Sequence, residues 1–217
     1  MADHPLVEAS MRAGVTDARV LDAVRTVSRE GFVPPELVAH AQLDRPLPIA
    51  HWQVTTQPSL VAKMVEALGL TGDERVLEIG TGHGWQTALL ATLAADVWSI
   101  ERWDDLAAVA RANLDRHGVA NVDVVVGDGS EGLVAHAPYD AVIVSAAFPI
   151  VPAPLAAQLT VGGRLVQPIG SGGDEDVVLF RKGDGVLQPV RTIIGAHFVP
   201  LVGRHGFGTD PHVPGSA

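Results

Sequence analysis

The segment with the most chemistry per residue is Val76-Leu-Glu-Ile-Gly80-Thr-Gly82-His-Gly84. An apolar run of strand length ends in three alternating glycines, and an Ala/Leu-rich helical stretch, Gln86 to Ala94, follows. Glycines there let the backbone turn sharply and approach a ligand closely. The helix start behind them offers amides without intrahelical partners. Two carboxylates recur at the same edge. Glu101 closes the next apolar run, 17 residues beyond Gly84, near the roughly 20-residue interval at which an acid meets ribose hydroxyls in nucleotide-binding folds. Asp128, in Gly127-Asp-Gly129, follows the third run, where it could accept from an adenine amino group. Either acid alone reads as a solvated loop residue; the pair, at successive strand ends, points to a nucleoside. The dinucleotide fingerprint G-x-G-x-x-G is not met, because Trp85 holds the third glycine position, which disfavours a nicotinamide cofactor. Glu78 alternates with Leu77 and Ile79 inside the apolar run. A buried carboxylate needs partners, so Glu78 reads equally as a strut beneath the loop or as a ligand contact.

The elements that position these residues follow from periodicity. Pro5 to Ala39 reads as helical up to the breaker Phe32-Val-Pro-Pro35, with Val20, Leu21, Val24 and Val27 at helical spacing and Thr16 or Asp17 as cap. Asp44-Arg-Pro-Leu-Pro-Ile49 reads as extended. A helix is predicted from Pro58 to Leu68. Strands are predicted at 75–79, 96–100, 122–126, 139–144 and 164–169, alternating with helices at 86–94, 105–117 and 152–159. That alternation implies a doubly wound, Rossmann-like α/β sheet, mostly parallel. Two further strands, 176–181 and 190–199, around Gly183-Asp-Gly185, imply an antiparallel C-terminal edge. The expected organisation is one domain: an N-terminal helical extension and loop over 1–57, a core over 58–205, and a flexible Gly/Pro-rich tail over 206–217.

Composition narrows the partners. The 217 residues are 47% hydrophobic with a formal net charge of −10, so one core-forming domain is expected and phosphate backbones would be repelled. No nucleic acid and no membrane partner is expected, and no apolar run reaches spanning length. The start carries neither a basic n-region nor an apolar h-region, so no signal peptide is expected. Cysteine is absent, which excludes disulfides and thiolate metal sites and fits a reducing cytoplasm. The nine histidines form no HExxH or comparable pair, so no metal site is expected.

The E-x-G-x-G-x-G run resembles motif I of the class I methyltransferases, whose S-adenosylmethionine presents an amino-acid end to a glycine-rich backbone. The likeness extends over roughly residues 13 to 201. Asp17-Ala-Arg-Val-Leu-Asp-Ala-Val, Phe32-Val-Pro, Asp44-Arg-Pro-Leu-Pro-Ile49, Thr56-Gln-Pro58, Gln86-Thr-Ala88, Tyr139-Asp-Ala-Val-Ile-Val-Ser-Ala-Ala147, Gly162-Gly-Arg-Leu-Val-Gln-Pro168 and Phe198-Val-Pro-Leu201 are together similar to the protein-L-isoaspartate O-methyltransferase family. The resemblance implies methyl transfer to the free carboxylate of an isoaspartyl residue in damaged protein, followed by collapse to a succinimide that hydrolyses partly to aspartate. It implies cofactor contacts from Glu78, Gly80, Thr81, Gly82, His83, Gly84, Glu101, Arg102, Asp128 and Gly129. Substrate contacts are implied for Trp52, Gln53, Thr55, Ser145, Ala146 and Val199, and an acceptor-orienting hydroxyl for Thr56, at the family's signature serine; the alternative for Thr56 is a helix cap. Expected partners are isoaspartyl proteins or peptides, with the enzyme a monomer.

The chain departs from the family at one loop. Where relatives read Gly-x-Gly-Gln-Thr-Ile-Ser, this sequence reads Ala50-His-Trp-Gln-Val-Thr-Thr56. If that loop needs positive φ at the lost glycines, the backbone must differ, and the Trp52 indole is expected near the substrate entrance, either as a lid or as a reshaping of the site. Three other readings therefore stay open: a methyltransferase for another carboxylate, a cofactor-binding protein with weakened catalysis, and, least favoured, a nicotinamide oxidoreductase.

Overall fold

The computed structural model describes residues 4–171 and 173–208. The N-terminal region is two α-helices, α1 (Pro5–Arg12) and α2 (Ala18–Thr26), followed by 3-10 turns at Arg29–Phe32 and Pro35–His40. The predicted continuous helical stretch is thus interrupted between Arg12 and Ala18. Gly14 takes φ 94° there, and Asp17 caps α2 by accepting from the Arg19 amide at 2.8 Å. The segment read as extended forms β1 (Leu47–Pro48), which pairs antiparallel with β2 (Val54–Thr55) in a small hairpin. Helix α3 (Pro58–Leu68) starts with proline in its first turn and stops at Gly69, whose left-handed φ of 57° ends the helix.

The core alternates as expected: β3 (Arg75–Ile79), α4 (Trp85–Leu93), β4 (Asp96–Glu101), α5 (Asp104–Arg116), β5 (Val122–Val126), β6 (Tyr139–Val144), α6 (Ala153–Ala157), β7 (Leu159–Ile169), β8 (Glu175–Lys182) and β9 (Leu187–Ala196). The seven-stranded sheet has the order β5-β4-β3-β6-β7-β8-β9. Pairs from β5 to β7 are parallel, and β8 and β9 add antiparallel at the edge. Strand β7 begins five residues before the predicted Arg164, because Leu159 already pairs with Tyr139 ahead of a bulge. The chain runs β3→β4→β5 one way and returns to lay β6 on the other side of β3. The carboxyl end of β3 is therefore the topological switch, where open sheets hold their ligands.

Two apolar layers sandwich this sheet. One gathers α1 to α4 onto Val76, Ala141, Ile143, Val166 and Val177. The other gathers Leu77, Ile79, Ile100, Val142, Val144, Leu155 and Leu165. Val76 and Leu77 fall in opposite layers, as strand alternation requires. Leu6, Val20, Val24 and Phe32 share the first layer with β3 and α4, so the N-terminal helices pack into the same core as the sheet. Within the stretch assigned in sequence to a flexible tail, Phe207 is packed: its amide donates to Leu201 O at 2.7 Å, and its ring meets Phe148 edge-on at 5.0 Å, while Gly208 is exposed. The rest of that expectation, 209–217, lies outside the described residues.

Candidate active site

A cleft at the switch point takes in about 990 Å³ of space between the atoms, part of it open solvent. Its floor is the turn after β3. Gly80, Gly82 and Gly84 take φ of 94°, 56° and 92°, values that a residue with a Cβ rarely adopts. Across the cleft, a Cβ on Gly129 would fall 2.3 Å from Ile79. The glycine turn is braced by Glu101, which is 5% exposed yet lines the cleft. Its two carboxylate oxygens accept from the Gly82 amide at 2.9 Å and the Trp103 amide at 3.2 Å. Burial pushes the Glu101 pKa above the ordinary glutamate value, with those amides opposing. A carboxylate has about four lone-pair sites, so it can hold the turn and still accept from a diol. This combination of open glycine backbone and an acceptor-only group at the next strand end fits the ribose and amino-acid portions of S-adenosylmethionine.

Fourteen of the residues read from sequence line this cleft: Gln53, Thr55, Thr56, Gly80, Thr81, Gly82, His83, Gly84, Glu101, Arg102, Gly129, Ser145, Ala146 and Val199. Three do not, and each has a physical reason. Glu78 is fully buried and accepts from Gln86 Nε2 at 2.9 Å, Thr87 Oγ1 at 2.6 Å and Ser99 Oγ at 2.5 Å. Burial pushes its pKa up to about 7 against those three donors. Its place is beneath the loop, tying β3 to β4 and to α4, rather than against a cofactor. Asp128 turns the other way: Oδ1 accepts from the Ser130 amide and hydroxyl, and Oδ2 from the Arg204 amide at 2.7 Å. It clips the C-terminal segment, and only its neighbour Gly129 reaches the cleft. Trp52 is 79% exposed and lies outside the cleft lining, on a turn whose flanking residues Ile49 and Gln53 are part of it.

Another part of the cleft wall is built by the β1–β2 hairpin and the residues leading into α3. Gln57 is the α3 N-cap but makes no capping bond. Asp44, 15 residues upstream of Ser59, does this instead, accepting from the Ser59 amide and hydroxyl, both at 2.8 Å, and from Gln57 Nε2 at 2.9 Å. Thr56 is thereby released from the capping role, and among the described residues its hydroxyl has no hydrogen-bond partner. Ser145 accepts from Gln86 Nε2 at 3.0 Å, and its amide bonds Ile79 O at 2.9 Å. Phe198-Val-Pro-Leu201 folds beside it, with the Ala147 amide on Val199 O and the Leu201 amide on Ala147 O, both at 2.8 Å.

Sequence reading missed Arg29. It is fully buried, lines the cleft and spends its guanidinium on the carbonyls of Ala41, Leu43 and Arg45 and on Thr55 Oγ1 at 2.8 Å. Burial pulls it down to about 10, with Asp44 opposing, so it stays charged at neutral pH. Thr55 Oγ1 also accepts from the Leu47 amide at 3.1 Å. No signal in Ser28-Arg-Glu30 distinguishes this arginine from a solvated one. His83, also in the cleft wall, is held below the ordinary histidine pKa by burial.

The departing loop does not avoid the left-handed region. The Gln53 amide donates to Ala50 O at 3.1 Å, closing a β-turn whose central residues His51 and Trp52 take φ of 59° and 57°. Two positive φ values are the mark of a type I′ hairpin turn, normally Asn-Gly. Each non-glycine residue there costs about 1–2 kcal/mol. His51 offsets part of this cost by stacking on Trp103, at 3.8 Å between ring centroids and 4° between planes, and by placing Nε2 2.8 Å from both Asp105 oxygens.

Comparison with known proteins follows the same lines. Residues 1–206 match the family model for protein-L-isoaspartate(D-aspartate) O-methyltransferase. The chain is 53% identical over 191 residues to the protein-L-isoaspartate O-methyltransferase of Anaeromyxobacter dehalogenans strain 2CP-C, covering 87% of this chain and 91% of that one. It is 49% identical over 203 residues to that of Methanoculleus marisnigri, covering 93% and 92%. A solved protein-L-isoaspartate O-methyltransferase matches with a TM-score of 0.81 at 29% identity over 93% of this chain, which spans 66% of that structure's length. A Plasmodium falciparum protein solved with S-adenosyl-L-homocysteine matches at a TM-score of 0.73 and 20% identity, covering 91% and 99%, a likeness of fold.

Proposed function

The chain belongs to the protein-L-isoaspartate (D-aspartate) O-methyltransferase family, and on that premise we propose that it esterifies the free carboxylate of isoaspartyl residues in damaged proteins. It is an S-adenosylmethionine-dependent methyltransferase. The observation that carries the reading is one cleft joining the Glu101-braced glycine turn to the hydroxyl of Thr56, which is unpartnered among the described residues. A sulfonium-bound methyl is already activated for transfer. The acceptor carboxylate is ionised at neutral pH, so no general base is required of the chain. What remains for the protein is alignment and exclusion of water. Glu101 and the backbone of Gly80 to Gly84 would hold the cofactor, which would supply the methyl; Thr56 donates to one oxygen of the acceptor carboxylate and fixes its orientation. Ser145, Ala146 and Val199 form a wall of small and apolar groups that lets a peptide backbone approach.

The whole chain acts as one domain in this reading, a monomer whose partners are isoaspartyl proteins and peptides. The lack of cysteine supports a cytoplasmic setting, and among the described residues no helix is long and apolar enough to cross a membrane. A second reading, another carboxylate as acceptor, draws on the His51-Trp52 turn. The product tests the carboxyl chemistry: with methyl-labelled cofactor, an isoaspartyl peptide should acquire a base-labile label. A base-stable label would mean methylation of nitrogen or of a hydroxyl.

A further inference from the structure

We propose that Trp52 is a specificity-determining shelf for the residue beside the isoaspartyl group, and that the enzyme favours substrates with an apolar side chain there. The proposal rests on the isoaspartyl reading above. The turn holding Trp52 uses a backbone conformation disfavoured for any residue with a Cβ, and the result is an indole left 79% exposed. Burial therefore does not explain the residue. Nor does closure in this conformation, since the indole stands outside the cleft lining. The turn is nevertheless held rigidly, through the His51 stack on Trp103 and the His51–Asp105 pair, and Trp103 follows Glu101 by two residues. A fixed, displayed aromatic beside a binding cleft is suited to contact at low entropic cost.

The chemistry of the occupant follows from what the hairpin leaves uncommitted. The His51 ring is engaged by Asp105, and Gln53 Nε2 donates to His51 O at 3.0 Å. What remains is the indole and, on the same hairpin, Val54, which is 47% exposed and lines the cleft. Both lie on the hairpin whose residues Ile49, Gln53, Thr55 and Thr56 line the cleft. A peptide whose isoaspartyl carboxylate reaches Thr56 lays a flanking residue across the two.

The test uses the full chain and three isoaspartyl peptides that differ only in their flanking residues: leucine, serine or lysine. The wild-type KM should be about tenfold lower for the leucine peptide than for the serine peptide, the worth of one partly buried apolar side chain. Trp52→Gly restores the residue this turn prefers, so folding is retained, and it should bring the leucine-to-serine KM ratio close to one. Trp52→Phe should restore part of the ratio. Equal wild-type KM values for leucine and serine would overturn the shelf while leaving the methyltransferase reading intact. A lower KM for the lysine peptide than for the leucine peptide would overturn the apolar assignment. A kcat loss of equal size on all peptides in Trp52→Gly would make Trp52 a lid. Absence of any methylation by the wild type would remove the isoaspartyl reading and the shelf together.

Discussion

Replacing Glu101 separates the brace seen in the structure from the cofactor contact proposed for the same side chain. The carboxylate braces the glycine turn through the Gly82 and Trp103 amides at 2.9 and 3.2 Å, in a site only 5% exposed. Glu101→Ala leaves both amides without that acceptor, at about 1–3 kcal/mol for each buried donor. Stability should fall by on the order of 2–4 kcal/mol, lowering Tm by roughly 5–15 °C in a chain of this size. On the proposed ribose contact, the cofactor should lose in addition a pair of charge-assisted bonds, about 1.5–3 kcal/mol, or roughly a 10- to 150-fold weaker Kd. Glu101→Gln keeps one acceptor oxygen and should fall between wild type and alanine in both respects. Calorimetric titration with S-adenosylhomocysteine beside thermal melts of the free protein reads the two effects independently. A folded alanine variant whose Kd stays within twofold of wild type would remove Glu101 from the cofactor site. An unchanged Tm would refute the bracing argument.

Three further outcomes are expected. Thr56→Val keeps shape and loses a hydroxyl that caps nothing, so kcat/KM should drop roughly 10- to 100-fold with unchanged Tm and cofactor affinity; a matching loss of Tm would return Thr56 to a structural role. Thr55→Val strips an acceptor from both Arg29 Nη2 and the Leu47 amide, and melts should show a loss on the order of 2–4 kcal/mol. Glu74 accepts from the Thr71 and Gly72 amides, the Thr71 hydroxyl and Arg164. Burial pushes its pKa up, but those donors prevail and hold it down at about 2. Because its folded value is depressed, its stabilisation is full above the unfolded value near 4.5 and is lost as pH falls from there through about 2. Tm should drop over that window in wild type, and Glu74→Gln should remove a component on the order of 3 kcal/mol; identical pH profiles would contradict this.

The sheet was legible where burial and alternation agreed. Arg75–Ile79, Val122–Val126 and Tyr139–Val144 have the predicted limits, because each is a short apolar run closed by glycine or a polar residue. The β1–β2 hairpin was not legible: its strands have two residues each, and His51-Trp52 carries no turn signature for the type I′ geometry it adopts. That the glycine turn and Glu101 meet at one cleft was readable because each lies at the carboxyl end of a recognisable apolar strand. Asp128 and Glu78 were not separable from ligand contacts, because what distinguishes them is which way a carboxylate turns and which neighbours meet it. The same holds for Asp44 capping α3 and for Arg29 beneath Thr55, since their partners are brought close only by the fold.

The central claim is that the cleft methylates the carboxylate that isoaspartyl linkage exposes. Its most direct test is to incubate the protein with methyl-labelled S-adenosylmethionine and equal amounts of two peptides identical except for one isoaspartyl or aspartyl linkage, and to follow both by mass spectrometry. The account predicts a methyl ester on the isoaspartyl peptide alone, followed by succinimide and a rising fraction of aspartyl product. Equal esterification of both peptides, or of neither, would contradict it.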